Sequence, residues 1–272
     1  MIPASFDYLR ASSAEEAVSL LHEHGDEAKL LAGGHSLLPL MKLRLATPSV
    51  LIDVGRLKDL SYVRATGDSV SIGALTRHRD VETSDVLERE VPILAHVAGL
   101  VGDPQVRHRG TIGGSLAHGD PASDLPAVVL ALGGALVAQG PGGRREIPAG
   151  EFFRGFLETA LAPDEMLVEI RVPKAKGGWS YQKFNRRAID WAIVGVAAVR
   201  NGTTGVALVN MGTTPVRAGA VERALSQGAS AADAADLAAE GTDPPSDLNA
   251  STEFRQHLVR VLVRRALEEA GA

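Results

Sequence analysis

Two glycine-containing segments of the chain could bind an anion through their backbone. The first is Leu31-Ala-Gly-Gly-His-Ser-Leu-Leu-Pro39 and the second is Thr111-Ile-Gly-Gly-Ser-Leu-Ala-His-Gly-Asp-Pro-Ala-Ser-Asp124. A Gly-Gly pair lets the main chain approach an anion closely, and successive N–H groups can form a concave anion-binding nest. Because the segments are far apart in the sequence, one local loop cannot contain both; we expect a ligand long enough to touch both, and a dinucleotide fits. We therefore expect two walls of one phosphate-binding cleft, lined by free amides and by neighbouring Ser and Thr hydroxyls.

Other polar side chains near these segments do not form a complete catalytic pattern. His35 lies inside the first glycine segment. His118, Asp120 and Asp124 could ligate a metal, but they occur in a turn rich in Gly, Pro and Ala without a His-x-His or Glu-x-x-His pattern. Asp124 is better explained as a helix cap or as an acceptor for ribose hydroxyls or a base edge. With no nucleophile elbow and no thiol, we predict no catalytic side chain and no metal site.

The composition excludes several classes of protein. The chain has no cysteine, which excludes disulfides, thiolate zinc sites and an iron–sulfur cluster carried by this chain. Any redox chemistry would therefore need an organic cofactor. The formal charge of −5 with dispersed Lys and Arg gives no electrostatic footprint for nucleic acid. Neither a signal-peptide pattern nor an apolar run of roughly 20 residues is found, so we expect no membrane span and a cytoplasmic location.

Local patterns predict three units that would position the two segments. Residues 1–55 read as a small α/β unit, in which a capping box at Ser13 to Glu16 begins a helix that ends at Gly25. Strands over 29–32 and 50–54 flank the first Gly-Gly turn. The absence of G-x-G-x-x-G and G-x-x-x-x-G-K-[ST] motifs argues against Rossmann and P-loop folds.

The second and third units combine sheet and helix. Residues 56–176 contain a hairpin signal at Thr66-Gly67-Asp68 and a second hairpin near 135–147, and the second glycine segment is expected to lead as a loop into a helix after Ser123. Residues 177–272 contain an antiparallel meander over 192–199, 204–210 and 216–220, followed by packed helices near 221–240 and 252–270.

The ordered motifs resemble one known family. The two glycine segments, together with Arg107-His-Arg-Gly-Thr-Ile-Gly-Gly-Ser115 and Asp120-Pro-Ala-Ser-Asp124, are similar to the FAD-binding medium subunit of molybdenum hydroxylases. The likeness is greatest to the carbon monoxide dehydrogenase type, and the flavin domain of xanthine dehydrogenase is more distant. Further matching motifs follow in the expected order along the chain: Phe6-Asp-Tyr8, Leu51-Ile-Asp-Val54, Gly73-Ala-Leu-Thr76, Glu151-Phe-Phe153, Tyr181-Gln-Lys183, and Phe254-Arg255 through Arg265-Ala266.

The resemblance implies an α+β fold of the vanillyl-alcohol-oxidase (PCMH) type. Two subdomains, 1–55 and 56–176, would clasp an extended FAD, and a C-terminal domain over 177–272 would contribute a three-stranded sheet with helices. FAD is expected to bind non-covalently. The residues that would hold it are Ala32, Gly33, Gly34, His35, Ser36, Leu37, Thr111, Gly113, Gly114, Ser115, Asp124, Leu167 and Lys183.

For two residues near the implied flavin ring, the sequence leaves two alternative roles open. Lys183 follows Tyr181 in a charged stretch, and it is either the charged end of a strand or a lysine beside an electron-rich heterocycle. Trp191 is expected in the core or at an interface, with packing over a flavin ring as the less favoured alternative.

The resemblance also implies a place in a larger complex. A large subunit would carry the molybdenum cofactor, a small subunit would carry [2Fe–2S] clusters, and this chain would pass electrons to a quinone, a protein carrier, oxygen or NAD. The assembly would be a dimer of heterotrimers, cytoplasmic or peripheral at the inner face of the membrane. Its substrate stays open among carbon monoxide, N-heterocycles and aldehydes. The alternatives are a stand-alone FAD-dependent reductase or oxidase and a non-enzymatic scaffold in which the glycines form ordinary turns.

Overall fold

The N-terminal unit is a parallel three-stranded sheet with two helices. In the computed structural model, which describes residues 2–271, the strand order is β1-β3-β2. The elements are β1 (Asp7–Arg10), α1 (Ala14–His24), β2 (Ala28–Leu31), α2 (Leu37–Lys42) and β3 (Val50–Asp53). The predicted helix and both predicted strands are confirmed, whereas β1 was not predicted because its side chains are mostly exposed and give no apolar alternation.

The start of α1 follows the predicted capping box with one difference. The Ser13 hydroxyl accepts a hydrogen bond from the Glu16 amide over 3.1 Å, as expected for an N-cap. The Glu16 carboxylate accepts from the Ser12 amide rather than from the Ser13 amide. The helix ends at Gly25, whose φ of 53° is in the left-handed region.

The second unit is an antiparallel five-stranded sheet covered by helices. The strand order is β4-β5-β10-β6-β7, and both predicted hairpins are present. The elements are β4 (Val63–Thr66), β5 (Ser69–Gly73), α3 (His78–Glu82), α4 (Asp85–Glu90), α5 (Pro92–Gly99), α6 (Pro104–Arg107), α7 (Ile112–His118), α8 (Asp124–Ala131), β6 (Ala135–Gly140), β7 (Gly143–Pro148), α9 (Ala149–Phe152), β8 (Phe153–Gly155), β9 (Glu158–Thr159) and β10 (Met166–Pro173). β8 and β9 form a separate two-stranded hairpin.

The C-terminal unit is an antiparallel sheet packed against helices. It contains three long strands, as the resemblance implied, and a two-residue strand at one edge, in the order β11-β12-β13-β14. The elements are β11 (Trp179–Phe184), β12 (Val194–Asn201), β13 (Thr203–Val209), β14 (Val216–Arg217), α10 (Gly219–Ser226), α11 (Ala231–Asp236) and α12 (Thr252–Ala270). The strand predicted over 216–220 is shorter than expected because α10 begins at Gly219.

Helix α8 connects the second and third units. All eight of its residues are buried, and it contacts α5 and α7 of its own unit as well as β12 and β13 of the C-terminal sheet. A helix that is apolar on every side belongs in a core. Because α8 is fixed from both sides, its first residue, Asp124, has a defined position between the units. Within residues 2–271 no helix is both long and apolar enough to cross a membrane.

Candidate functional site

A cavity of about 780 Å³ lies where the three units meet. Its size is within the usual range for small-molecule and cofactor sites. The structure brings together around this cavity every residue that was expected to hold FAD, from both glycine segments, α8, β10 and β11: Ala32, Gly33, Gly34, His35, Ser36, Leu37, Thr111, Gly113, Gly114, Ser115, Asp124, Leu167 and Lys183.

The first glycine segment is in backbone contact with the chain just before the second. A Cβ atom placed on Gly33 would lie 2.2 Å from the Arg109 carbonyl oxygen and 2.8 Å from the Gly110 Cα atom. No side chain fits at this distance, so only glycine allows the two stretches to approach so closely. The next residue, Gly34, has a φ of 78°, which turns the chain into α2. The convergence of two distant stretches is therefore a direct consequence of this pair of glycines.

The first segment has unused backbone donors. Within residues 2–271, the amides of residues 33–37 donate to no protein acceptor. The next amide, that of Leu38, donates to the Gly34 carbonyl over 3.0 Å. The Ser36 hydroxyl also has no hydrogen-bond partner in this part of the chain. Because these residues line the cavity, their adjacent N–H groups form a nest suited to an anion.

The second segment differs from the expectation of free amides, which is wrong for its glycines. The Gly113 amide donates to the Ala74 carbonyl over 2.9 Å, and the Gly114 amide donates to the Thr111 hydroxyl over 3.2 Å. Residues 112–118 of the segment form α7, capped by Thr111, so this part is not a loop, whereas the helix expected after Ser123 is confirmed as α8. A Cβ on Gly113 would lie 2.5 Å from the Ala74 carbonyl oxygen. Here glycine serves the packing of the protein against itself.

Asp124 forms a buried ion pair with Lys183 at the cavity. The Lys183 ammonium donates to Asp124 Oδ2 over 2.9 Å and to the Leu100 carbonyl over 3.3 Å. The two side chains are only 7% and 8% exposed. The Tyr181 hydroxyl donates to Asp124 Oδ1 over 2.6 Å. The interpretation of Asp124 as a helix cap is therefore wrong, because Ser123 occupies the N-cap of α8 and the Asp124 carboxylate binds side chains of β11.

Two opposing effects act on the pKa of the Asp124 carboxyl. The pKa of Asp124 is raised above its ordinary value because burial outweighs the positive charge of Lys183 and the hydrogen bonds from Tyr181 and Lys183, which lower it. Burial, and then the neighbouring Asp124, raise the pKa of Tyr181 well above its ordinary value. The Tyr181 phenol is therefore a permanent donor, and Asp124 and Lys183 together present a nearly neutral but strongly polar surface to the cavity.

His78 lines the same cavity and was missed by the sequence reasoning. It is 4% exposed, and burial lowers its pKa to about 4, with smaller contributions from His35 and Arg107. Its Nδ1 atom has no hydrogen-bond partner among the described residues. Its main-chain amide donates to the Gly110 carbonyl over 2.9 Å. Nothing local marks this histidine, because its burial depends on Gly110, which is distant in the sequence.

Trp191 is not in the core. It is 59% exposed at the cavity, so the core position is wrong, while the interface position and packing over a flavin ring stay predictions. His118 also lines the cavity, and burial lowers its pKa. The Asp120 carboxylate accepts a hydrogen bond from the Ala122 amide over 2.8 Å, which closes the turn after α7. In residues 2–271 no group of three or more His, Cys, Asp or Glu side chains is arranged to hold a metal ion.

Two family models cover nearly the whole chain. Residues 4–175 match the FAD binding domain in molybdopterin dehydrogenase, and residues 179–270 match the CO dehydrogenase flavoprotein C-terminal domain. The carbon monoxide dehydrogenase medium chain of Hydrogenophaga pseudoflava is 44% identical, covering 100% of this chain and 99% of that protein. The 6-hydroxypseudooxynicotine dehydrogenase complex subunit alpha of Paenarthrobacter nicotinovorans is 38% identical, with 99% and 96% coverage.

A solved structure agrees with these sequence matches. The carbon monoxide dehydrogenase of Hydrogenophaga pseudoflava that lacks the Mo-pyranopterin moiety of the molybdenum cofactor contains a chain that superimposes with a TM-score of 0.95, over 100% of this chain and 99% of that chain. The expected fold, FAD as the cofactor of the family and the oxidoreductase class are confirmed. This chain belongs to the family of FAD-binding medium subunits of molybdenum-containing hydroxylases, of the carbon monoxide dehydrogenase type.

Proposed function

We propose that this chain binds FAD non-covalently in the cavity and relays electrons from [2Fe–2S] clusters of a partner subunit to an external acceptor. The observation that carries the proposal is that a single cavity joins the unused amides of residues 33–37 to the buried pair of Asp124 and Lys183. An extended dinucleotide needs an anion site at its middle and a polar contact at its flavin end, and the cavity offers both.

The diphosphate would lie against the first glycine segment. Residues 32–37 supply the backbone donors, and the Ser36 hydroxyl can add one more. Thr111 to Ser115 form the facing wall, where Gly113 brings the start of α7 close to Ala74, directly after β5, and the Ser115 hydroxyl has no partner among the described residues. A cradle without Cβ atoms next to adjacent free N–H groups fits a diphosphate well.

The flavin ring would lie beside Lys183 and Leu167. When bound, FAD supplies a redox centre that accepts and releases electrons, and the protein contributes binding, orientation and tuning of its potential. Lys183 holds two of its donor bonds within the protein, so one N–H remains for the ring. Trp191 lies at the same cavity with more than half of its surface exposed, and we propose that it covers the ring from the solvent side.

The absence of cysteine requires the clusters to be in another subunit. We propose a small [2Fe–2S] subunit and a large molybdenum-cofactor subunit as partners, assembled as a dimer of heterotrimers in the cytoplasm or at the inner face of the membrane. Exposed apolar side chains support a partner surface close to the cavity: Phe156, Leu157, Ile189 and Trp191. Within this chain, 1–55 and 56–176 would be the two FAD-binding subdomains and 177–272 the C-terminal domain.

Purification of the chain from its native source tests the proposal. We expect a yellow complex that contains FAD, a cysteine-rich iron–sulfur protein and a large molybdenum protein. Reduction by the substrate of the complex should bleach the flavin only when both partners are present. A colourless chain that refuses added FAD would contradict FAD binding, and rapid oxidation of an organic substrate by the isolated yellow chain would instead favour a stand-alone oxidase or reductase.

A further inference from the structure

Two side chains of one strand in the C-terminal sheet donate hydrogen bonds to the buried Asp124 carboxylate. Tyr181 and Lys183 are two residues apart in β11 and therefore point to the same face of the strand. The Tyr181 hydroxyl contacts Oδ1 over 2.6 Å, and the Lys183 ammonium contacts Oδ2 over 2.9 Å. Asp124 and Lys183 line the cofactor cavity, whereas Tyr181 does not. Any influence of Tyr181 on a bound cofactor must therefore pass through Asp124.

The structure makes room for the Tyr181 hydroxyl. Tyr181 is 8% exposed, and a Cβ atom on Gly195 of the neighbouring strand β12 would lie 3.1 Å from its hydroxyl oxygen. At that distance a side chain at position 195 would crowd the phenol. The glycine near the start of a central strand thus leaves the space in which Tyr181 reaches Asp124.

We propose that Tyr181 is a positioning residue that keeps Asp124 ionised and in place, and that it thereby sets the net charge presented to the cofactor beside Lys183. The inference rests on the proposed function, because it requires the flavin ring to bind at this end of the cavity. An ionised Asp124 neutralises Lys183, whereas a protonated Asp124 leaves Lys183 as a net positive charge. A positive charge beside a group that gains electrons favours its reduced form and raises its midpoint potential.

Other titratable groups near α8 and β11 make different contacts. His96 of α5 stacks on Trp179 with ring centroids 5.2 Å apart. Glu269 of α12 accepts hydrogen bonds from Ser180 and Gln182, which alternate with Tyr181 along β11 and so lie on its opposite face. Several more groups occur on elements that line the cavity or contact α8, and none of them is hydrogen-bonded to Asp124: His35, His78, Asp103, His118, Glu158, Glu165, Asp190 and Arg217.

The pH dependence follows from the balance at Asp124. Burial raises the pKa of this carboxyl, and the hydrogen bond from Tyr181 is one of the contacts that lower it. Removing the Tyr181 hydroxyl therefore moves protonation of Asp124 to higher pH. The net positive charge of Lys183 then appears at a higher pH than in the unmodified protein, and the flavin potential of such a variant should be the higher of the two between the pH values at which Asp124 is protonated in the variant and in the unmodified protein.

The test is a titration of the flavin midpoint potential against pH in the FAD-loaded complex. Tyr181→Phe should give a positive shift relative to the unmodified protein only in the pH window where Asp124 is protonated in the variant and still ionised in the unmodified protein, and the shift should disappear at higher and at lower pH. Tyr62→Phe is the matched control, since Tyr62 also donates to a carboxylate, that of Glu169, and neither residue lines the cavity. If Tyr181→Phe follows the unmodified protein at every pH while retaining FAD, the inference is wrong. If the unmodified complex does not bind FAD, the proposed function is wrong.

A second measurement serves if Tyr181→Phe does not assemble. The chain contains three tyrosines, so Tyr8→Phe and Tyr62→Phe together leave Tyr181 as the only one. This variant can be made with 3-fluorotyrosine and combined with unlabelled partner subunits. The more acidic phenol is a stronger donor, so the rise in potential should begin at a lower pH than in the same variant with ordinary tyrosine. Identical curves for the two proteins would overturn the inference.

Discussion

The two glycine segments look alike in the sequence but use their backbones in opposite ways. In the first segment, the amides of residues 33–37 have no protein acceptor within residues 2–271. In the second segment, the amides of Gly113 and Gly114 are already bonded to Ala74 and Thr111. The first segment therefore offers donors to a ligand, and the second forms a packed helix start that supports it. A Gly-Gly pair indicates a close approach, but the tertiary structure decides whether a ligand or the chain itself approaches.

The contact between Gly33 and Arg109 gives the largest expected effect. Gly33→Ala would place a Cβ atom 2.2 Å from a backbone oxygen, where no flexible side chain can yield. We expect a loss of about 3 kcal/mol of unfolding free energy, near the upper end for overpacking, together with loss of FAD. Gly34→Ala is the matched control: the nearest atoms to its Cβ would belong to the Leu38 and Leu31 side chains and not to backbone, and its left-handed backbone costs about 1–2 kcal/mol. Urea unfolding of both variants measures the difference, and equal losses would contradict the contact.

Acid should lower the stability of the protein through His78, which packs against Gly110 just before the second segment. The pKa of His78 is lowered from 6.5 to about 4, so the folded protein binds fewer protons than the unfolded chain between these values. Stability from this residue is complete above pH 6.5, falls as the pH decreases toward about 4, and is constant below that, a change of about 3 kcal/mol. His78→Gln should flatten the pH dependence of the urea midpoint in this window. An unchanged slope would show that His78 is not buried as a neutral group.

Thr111→Val separates the structural part of the second segment from ligand binding. The Thr111 hydroxyl accepts from the Gly114 amide and caps α7. We expect a loss of about 1 kcal/mol of unfolding free energy, the usual value for removing an N-cap. The free energy of FAD binding, measured by fluorescence titration of folded protein, should change by less than the free energy of unfolding. A variant of full stability that binds FAD poorly would reverse the roles assigned to the two segments.

Ser36→Ala is the corresponding change in the first segment, with the smallest expected effect. The Ser36 hydroxyl makes no capping hydrogen bond, so its removal should leave the unfolding free energy unchanged. If the hydroxyl contacts the diphosphate, FAD affinity should fall by up to about tenfold, the worth of one hydrogen bond. Calorimetric titration with FAD gives the affinity. Unchanged affinity would leave the backbone as the sole contribution of this segment.

Local sequence patterns predicted those elements whose signals are local. The cap at Ser13, the strands on either side of the first glycine turn and both hairpins of the second unit depend on residues close to each other in the chain. The resemblance to the molybdenum hydroxylase family then supplied the residues around the cavity, because glycine pairs in a fixed order are specific even when each pair alone is not.

The remaining features depend on contacts between distant residues. The amide of Gly113 is occupied by Ala74, the burial of His78 depends on Gly110, and the carboxylate of Asp124 is held by β11. No pattern within a short window contains both partners of such contacts. Trp191 shows the same limit in reverse, since a large aromatic side chain is usually buried, and only the complete fold leaves it exposed at the cavity.

Hydrogen exchange of the backbone amides with and without FAD tests the difference between the two segments most directly. FAD should slow exchange at residues 33–37, whose amides have no protein acceptor within residues 2–271. Exchange at residues 112–115 should already be slow without FAD and should change much less, because their amides are bonded within the protein. A larger gain in protection at residues 112–115 than at residues 33–37, or no gain at residues 33–37 when FAD is bound, would show that the first segment does not donate its amides to the cofactor.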